Sequence, residues 1–136
     1  MRKLVLVLAV AVGLSVVPMA IASPAVRLTI VHFVRGCHVW GTVDGQPLGP
    51  SHTISLRRGA GLQIRVNCPM GFDFSQQAGP ALALGDPRSA PGTVRTIVFA
   101  KAGLYRLQAV NVETSTQQGL QTLGPDNTLR LTVRVR

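Results

Sequence analysis

Acidic residues are scarce in this sequence, which has five Asp and Glu against fourteen Lys and Arg. Hydrolytic enzymes need paired carboxylates, or a nucleophile with a neighbouring base. Three of the five acids stand in turn contexts, namely Asp44, Asp86 and Asp126. Nothing in the sequence brings the other two, Asp73 and Glu113, together. The chain also lacks a glycine-rich phosphate loop and a nucleophile elbow, so we expect that it is not an enzyme.

Aromatic residues are also scarce, at 4% of the chain. We therefore expect Val, Leu, Ile and Ala to fill most of the core. The basic residues are scattered and lack an aromatic stacking surface, so no specific nucleic-acid binding is expected. Arg130, Arg134 and Arg136 alternate along one segment, which we interpret as a solvated strand face. The basic charge would attract the chain to anionic surfaces.

Long hydrophobic runs are absent except at the N-terminus. Met1–Lys3 form a basic n-region, residues 4–17 form an apolar h-region, and Ala20-Ile21-Ala22 fits a signal peptidase site. We expect a signal peptide at 1–22 and one mature domain at 23–136, with no stable membrane span after cleavage. An uncleaved anchor is the alternative, because the apolar stretch is nearly long enough to span a bilayer.

Alternating apolar and polar residues follow the signal segment, and no segment has the periodicity of a helix. Residues 62–67 and 129–136 alternate most clearly, with Leu129, Leu131, Val133 and Val135 on one face. Further strands are expected at 26–35, 37–43, 52–57, 72–76, 93–100 and 104–112, and loops at 69–92 and 113–126. Seven to eight short strands with turns between them predict an all-β Greek-key sandwich or barrel.

The metal-ligand residue types gather in two places, Cys37-His38 and Cys68-Pro69-Met70. Thiolate, imidazole and thioether groups suit copper. Each group also has a structural interpretation. His32, on an apolar strand face, is expected to be a buried structural histidine, and His52 a loop residue. Cys37 and Cys68 in an exported chain predict a disulfide, which excludes them as ligands while it is intact.

Several segments resemble small exported bacterial cupredoxin-like domains. They are RGCHVW at 35–40, LRRGAGLQIRVN at 56–67, Gly-Pro at 79–80, FAKAGLYRLQA at 99–109 and LGPDNTLRLTVRV at 123–135. The resemblance covers nearly all of the mature chain. It implies a cupredoxin-like sandwich with a copper site at one end, reached from the loops.

The chain departs from this family at its ligand positions. Blue-copper proteins place Cys, His and Met in a late loop, but the segment after Tyr105 contains none of them, which excludes that layout. Related domains carry a segment of the form Asn-x-Asp-x-Met-Pro-His. Here Met70 is retained, Cys68 takes the acidic position and Phe72 takes the place of the histidine.

Two hypotheses fit these departures. The first is a sulfur-rich copper site formed by Cys37, His38, Cys68 and Met70, which would favour Cu(I). The second is a metal-free binding or structural module stabilised by a Cys37–Cys68 disulfide, using the loops at 69–92 and 113–126. In both, we expect a secreted or periplasmic monomer at the cell envelope. The first implies electron-transfer ancestry and an unidentified redox or envelope protein partner.

Overall fold

The computed structural model describes residues 25–33, 37–112 and 128–136. Ten β-strands lie in these ranges: β1 (Val26–Phe33), β2 (Cys37–Gly41), β3 (Pro47–Gly49), β4 (Ser51–Leu56), β5 (Gly61–Asn67), β6 (Gly71–Ala78), β7 (Arg88–Ser89), β8 (Val94–Val98), β9 (Gly103–Val112) and β10 (Thr128–Val135). The described part of the chain has no helix that could cross a membrane. The predicted signal peptide at 1–22 and the predicted loop at 113–126 lie outside the described residues.

The strands form two five-stranded sheets. The first has the order β3-β2-β1-β5-β8 and the second the order β4-β10-β9-β6-β7. The pairs β1–β5 and β4–β10 are parallel, and all other pairs are antiparallel. The chain passes between the sheets repeatedly, so strands adjacent in a sheet are often distant in sequence. The predicted all-β Greek-key sandwich is confirmed.

The predicted strand number, seven to eight, is too low. The two strands that the sequence did not indicate, β3 and β7, have three and two residues. Each lies at the edge of its sheet, and β3 begins with a proline, which cannot donate a ladder hydrogen bond. Segments this short have no measurable alternation. The segment predicted at 72–76 is also longer, since β6 runs from Gly71 to Ala78.

The alternation predicted for the last strand is confirmed. In β10, Leu129, Leu131, Val133 and Val135 are buried between the sheets, while Arg130 and Arg134 are exposed. The same inward set in β5 is Leu62, Ile64 and Val66. Burial of one face in each strand fixes the register, because a slip of one residue would turn the apolar set outward.

The few aromatic residues take a larger part in the core than expected. Those buried in the described part of the chain are Trp40, Phe72, Phe74, Phe99 and Tyr105. Trp40 Nε1 donates a hydrogen bond to the carbonyl of Arg130 at 2.9 Å, which joins the two sheets. Tyr105 packs edge-on against Phe99 and donates its hydroxyl proton to the carbonyl of Lys101 at 2.6 Å.

Two side chains tie down the segment between β6 and β8. The Gln76 amide donates to the carbonyl of Pro80 at 2.7 Å and accepts from the backbone N–H of Leu82 at 3.0 Å. The Arg95 guanidinium donates to the carbonyls of Leu84, Asp86 and Arg88. The region predicted as a long loop at 69–92 is therefore partly strand and is extensively hydrogen-bonded elsewhere.

Candidate functional site

Three of the predicted site residues lie at one end of the sandwich, which we call the His38 end and define by His32, His38, Cys68, Met70 and Phe72. In the first sheet, His32 near the end of β1 pairs directly with His38 near the start of β2. The parallel register of β1 and β5 continues to Val31 and Asn67, so Cys68 leaves β5 beside the end of β1. Phe72, early in β6, brings the second sheet to the same end.

His38 is the most enclosed polar side chain of this end, with 1% of its surface exposed. Its ring packs edge-on against His32, with centroids 5.3 Å apart, and against Phe72, with centroids 5.4 Å apart. Burial, with a smaller contribution from the charge of His32, lowers the pKa of His38 to about 4. The imidazole is therefore neutral at physiological pH, which is the protonation state in which histidine binds metals.

Cys68 and Met70 supply sulfur at the same end. Cys68 is a free cysteine with 9% of its surface exposed, and its thiol donates weakly to the carbonyl of Met70 at 3.4 Å. Burial raises the pKa of this thiol, and a hydrogen bond with the Met70 backbone lowers the pKa by a smaller amount. The thiol is thus protonated at neutral pH. Met70 has 1% of its surface exposed.

The fourth predicted ligand, Cys37, begins β2, where its backbone pairs with Phe33. Its side chain lies outside the described set. In residues 25–33, 37–112 and 128–136, no three His, Cys, Asp or Glu side chains lie close enough to hold a metal ion. The structure thus places His38, Cys68 and Met70 at one end of the sandwich, and the four-residue site stays a prediction.

The structure corrects the interpretation of two histidines. His32 was expected to be buried and structural, but it is exposed, and its cross-strand partner His38 is the buried one. Both side chains are on the same face of the first sheet, but at this end of the sandwich Phe72 of the second sheet covers His38, and His32 is left exposed. His52 was expected in a loop, but it lies in β4, half-buried and paired with Leu131.

Sequence reasoning missed Asn111, which lies near the end of β9 directly opposite Phe72. It is 3% exposed, and neither its amide nitrogen nor its amide oxygen has a hydrogen-bond partner in the described part of the protein. An unsatisfied buried amide costs free energy. The residue continues the inward row of Tyr105, Leu107 and Ala109, and a polar residue in that apolar row was the available signal.

No family model and no curated protein matches the sequence. Among solved structures, the fold is similar to a purple cupredoxin from Nitrosopumilus maritimus, at 13% identity over 79% of this chain and 97% of that one, with a TM-score of 0.46. It is similar to a reduced Cu(I) form of an amicyanin mutant, at 16% identity over 85% and 86% of the two chains, with a TM-score of 0.47. It is also similar to a multicopper oxidase variant from Aquifex aeolicus, at 13% identity over 85% of this chain and 27% of that one, with a TM-score of 0.49.

The two-sheet architecture itself is established by the strand order of this chain. At such identities the ligands of those proteins do not transfer to residues of this one.

Proposed function

We propose that this chain is an exported cupredoxin-like module that binds one copper ion at the His38 end and has no catalytic activity. His38 and Met70 are the first ligands, with sulfur from Cys37 or Cys68, and the structure adds exposed His32 as a further candidate. The supporting observation is the convergence of a neutral buried imidazole, a thiol and a thioether at one end of the sandwich.

The donor chemistry fits copper, and Cu(I) best. Soft thiol and thioether sulfur with imidazole nitrogen select the softer ion. Well above pH 4 the imidazole of His38 is neutral, so a copper ion does not have to displace the proton of an imidazolium. The Cys68 thiol must lose its proton to act as a ligand, so copper binding through it releases a proton. Met70 has an unbranched, flexible side chain that can turn toward an ion.

The positions of Cys37 and Cys68 in the first sheet also bear on the rival hypothesis of a disulfide between them. The strand β1 lies between β2, which begins with Cys37, and β5, which precedes Cys68. Two strand spacings amount to about 9–10 Å, whereas bridged cysteines have Cα atoms roughly 4.4–6.8 Å apart. Disulfide formation would thus need the chain at Cys68 to move toward β2. This requirement favours the metal-binding hypothesis over the metal-free module.

The proposal also states that the protein has no catalytic activity and that it is exported from the cytoplasm. One of the five acids, Asp73, forms an ion pair with Arg88 on the outside of the sandwich. The basic n-region, apolar h-region and Ala-x-Ala pattern support export to the periplasm or the medium, where the protein would act as a monomer with a redox or envelope protein partner.

Native mass spectrometry tests this proposal. The full chain is expressed with its own N-terminal segment, recovered as the cell processes it and offered Cu(I) under mild reduction. We expect one copper per chain, with binding strongly weakened by His38→Ala or Met70→Leu. His52→Ala is the matched control, because His52 lies in β4 away from the His32–His38 pair, and it should leave binding unchanged.

The same spectra report the mass of the processed chain and the mass deficit of a disulfide. A chain beginning at Ser23 would agree with cleavage after Ala22. No copper uptake when both thiols are free would contradict the metal-binding proposal. A complete disulfide in the protein as recovered, with no copper bound after reduction, would support the metal-free module instead.

A further inference from the structure

Three arginines lie together on the outer face of the second sheet. We call this surface the arginine face and define it by Arg106 in β9 and by Arg130 and Arg134 in β10. In the antiparallel register, Arg106 pairs with Thr132, so both Arg130 and Arg134 are its diagonal neighbours. Diagonal neighbours of this kind lie about 7–8 Å apart. All three side chains are exposed.

Carboxylates do not compensate this positive charge. In the described part of the chain the one ion pair joins Asp73 to Arg88, in β6 and β7 at the other edge of the sheet. Like charges at this spacing repel each other and cost stability. A multivalent anion placed across the three guanidinium groups would relieve this repulsion and form charge-assisted hydrogen bonds.

A groove of about 760 Å³ crosses this face from β4 to β6. Besides Arg106 and Arg130, its lining includes hydroxyl and amide side chains, among them Ser51, Thr53 and Gln108, together with His52, Leu107 and Leu131. It spans four neighbouring strands, β4-β10-β9-β6, and hence about 14 Å between the outer two. A ligand in it therefore needs an extended shape, with anionic groups at intervals and neutral hydroxyl groups between them.

The backbone beneath the groove is held in place. The carbonyl of Arg130 accepts the 2.9 Å hydrogen bond from Trp40 Nε1. The backbone N–H of Arg130 donates to the carbonyl of Pro50 at 2.9 Å. The strand that carries Arg130 is thus joined to the opposite sheet and to the residue preceding β4. A guanidinium on a fixed strand loses less freedom when it binds a ligand.

We propose that the arginine face binds a linear acidic polysaccharide, with the guanidinium groups on its carboxylates or sulfates. The hydroxyl and amide side chains of the groove donate to and accept from the sugar hydroxyl groups between the charges. Polyphosphate has no neutral hydroxyl groups to use these side chains, and a planar bilayer does not follow a groove. This binding is independent of the copper proposal, because the face lies outside the sandwich whereas the His38 end lies between the sheets.

Affinity for polygalacturonate, measured by titration calorimetry at low ionic strength, tests the proposal. The protein is the full chain as processed by the cell. The double variant Arg106→Gln/Arg130→Gln should bind about tenfold more weakly, since it removes two of the three charge contacts to the polysaccharide. Binding of all forms should weaken as salt is raised.

The matched control is the double variant Arg27→Gln/Arg65→Gln. It removes the same charge from the outer face of the first sheet, where Arg27 and Arg65 line a smaller groove of about 330 Å³ together with Val43 and Val94. Its affinity should stay within about twofold of the parent, because exposed substitutions outside a site have small effects. Unchanged thermal unfolding of both double variants shows that each is folded.

Three results would overturn the proposal. The first is no binding of polygalacturonate at low salt, and the second is an equal loss in both double variants, which would mean attraction by net charge alone. The third is tighter binding to polyphosphate or to phosphatidylglycerol vesicles than to the polysaccharide. Preference for polygalacturonate, lost only in the variant of the arginine face, supports it.

Discussion

Acidification of the metal-free protein should remove a pH-dependent part of its stability that comes from His38. The pKa of His38 is about 4 in the folded protein and 6.5 in the unfolded chain, so between these values the unfolded state binds more protons. The contribution is fully present above pH 6.5 and is lost as the pH falls toward 4. The cause is burial, since protonation would place a charge between Phe72 and His32 without solvent.

The magnitude follows from the size of the shift. A difference of 6.5 − 4 = 2.5 pKa units corresponds to about 3 kcal/mol, at roughly 1.36 kcal/mol per unit. Small domains have total stabilities of about 5–15 kcal/mol. Loss of this contribution would therefore remove a large share of the free energy of unfolding.

Urea unfolding between pH 7.5 and 4.5, in the presence of a chelator, measures this effect. Carboxylates begin to titrate in the same range, so the relevant quantity is the difference between the parent and His38→Phe. The variant should lose less stability on acidification, whereas His52→Gln should follow the parent. Parallel pH profiles for parent and His38→Phe, or an NMR titration of His38 with a midpoint near 6.5, would refute the reasoning.

Three further predictions concern single residues. Asn111→Val should raise the free energy of unfolding by about 1–2 kcal/mol in chemical denaturation, because it removes two unsatisfied buried atoms; a lower stability would show that the amide is needed in the fold. Gly79→Ala should lower the free energy of unfolding by about 3 kcal/mol, because φ is +108° at this position and a Cβ would lie 2.6 Å from the carbonyl oxygen of Leu104. Gly85→Ala, also at positive φ but with open space around it, should cost about 1 kcal/mol. Equal losses in the two variants would argue against the close approach at Gly79. Copper affinity should rise with pH between 6 and 8 in competition titrations, because the raised pKa of Cys68 means that the ion must displace a proton from the thiol. This pH dependence should weaken in Cys68→Ser. A copper affinity that does not change with pH in the parent would exclude Cys68 as a ligand.

The sequence predicted those parts of the fold that are encoded by local alternation. The apolar rows of β5 and β10 could be predicted because each strand has one buried and one solvated face over six or more residues. The edge strands β3 and β7 could not, since two or three residues carry no period and their pairing is decided by the neighbouring strand. The pairing of β1 with β5, far apart in sequence, also depends on tertiary packing.

The candidate site was only partly predictable for a related reason. Ligand types identified Cys37-His38 and Cys68-Pro69-Met70, and the structure places His38, Cys68 and Met70 at one end. The depth of each histidine was not predictable, because His32 and His38 share a strand face and differ only in how far the second sheet covers them. The available signal for Asn111 was a polar residue in the inward apolar row of β9, but its lack of hydrogen-bond partners among the described residues depends on tertiary packing.

X-ray absorption at the copper edge, on the processed protein loaded with one equivalent of Cu(I), identifies the atoms bound to the ion. We expect both sulfur and imidazole nitrogen, with the nitrogen contribution reduced in His38→Ala and unchanged in His52→Ala. A copper ion bound by oxygen and nitrogen alone, or a spectrum that His38→Ala leaves unaltered, would contradict a copper site at the His38 end.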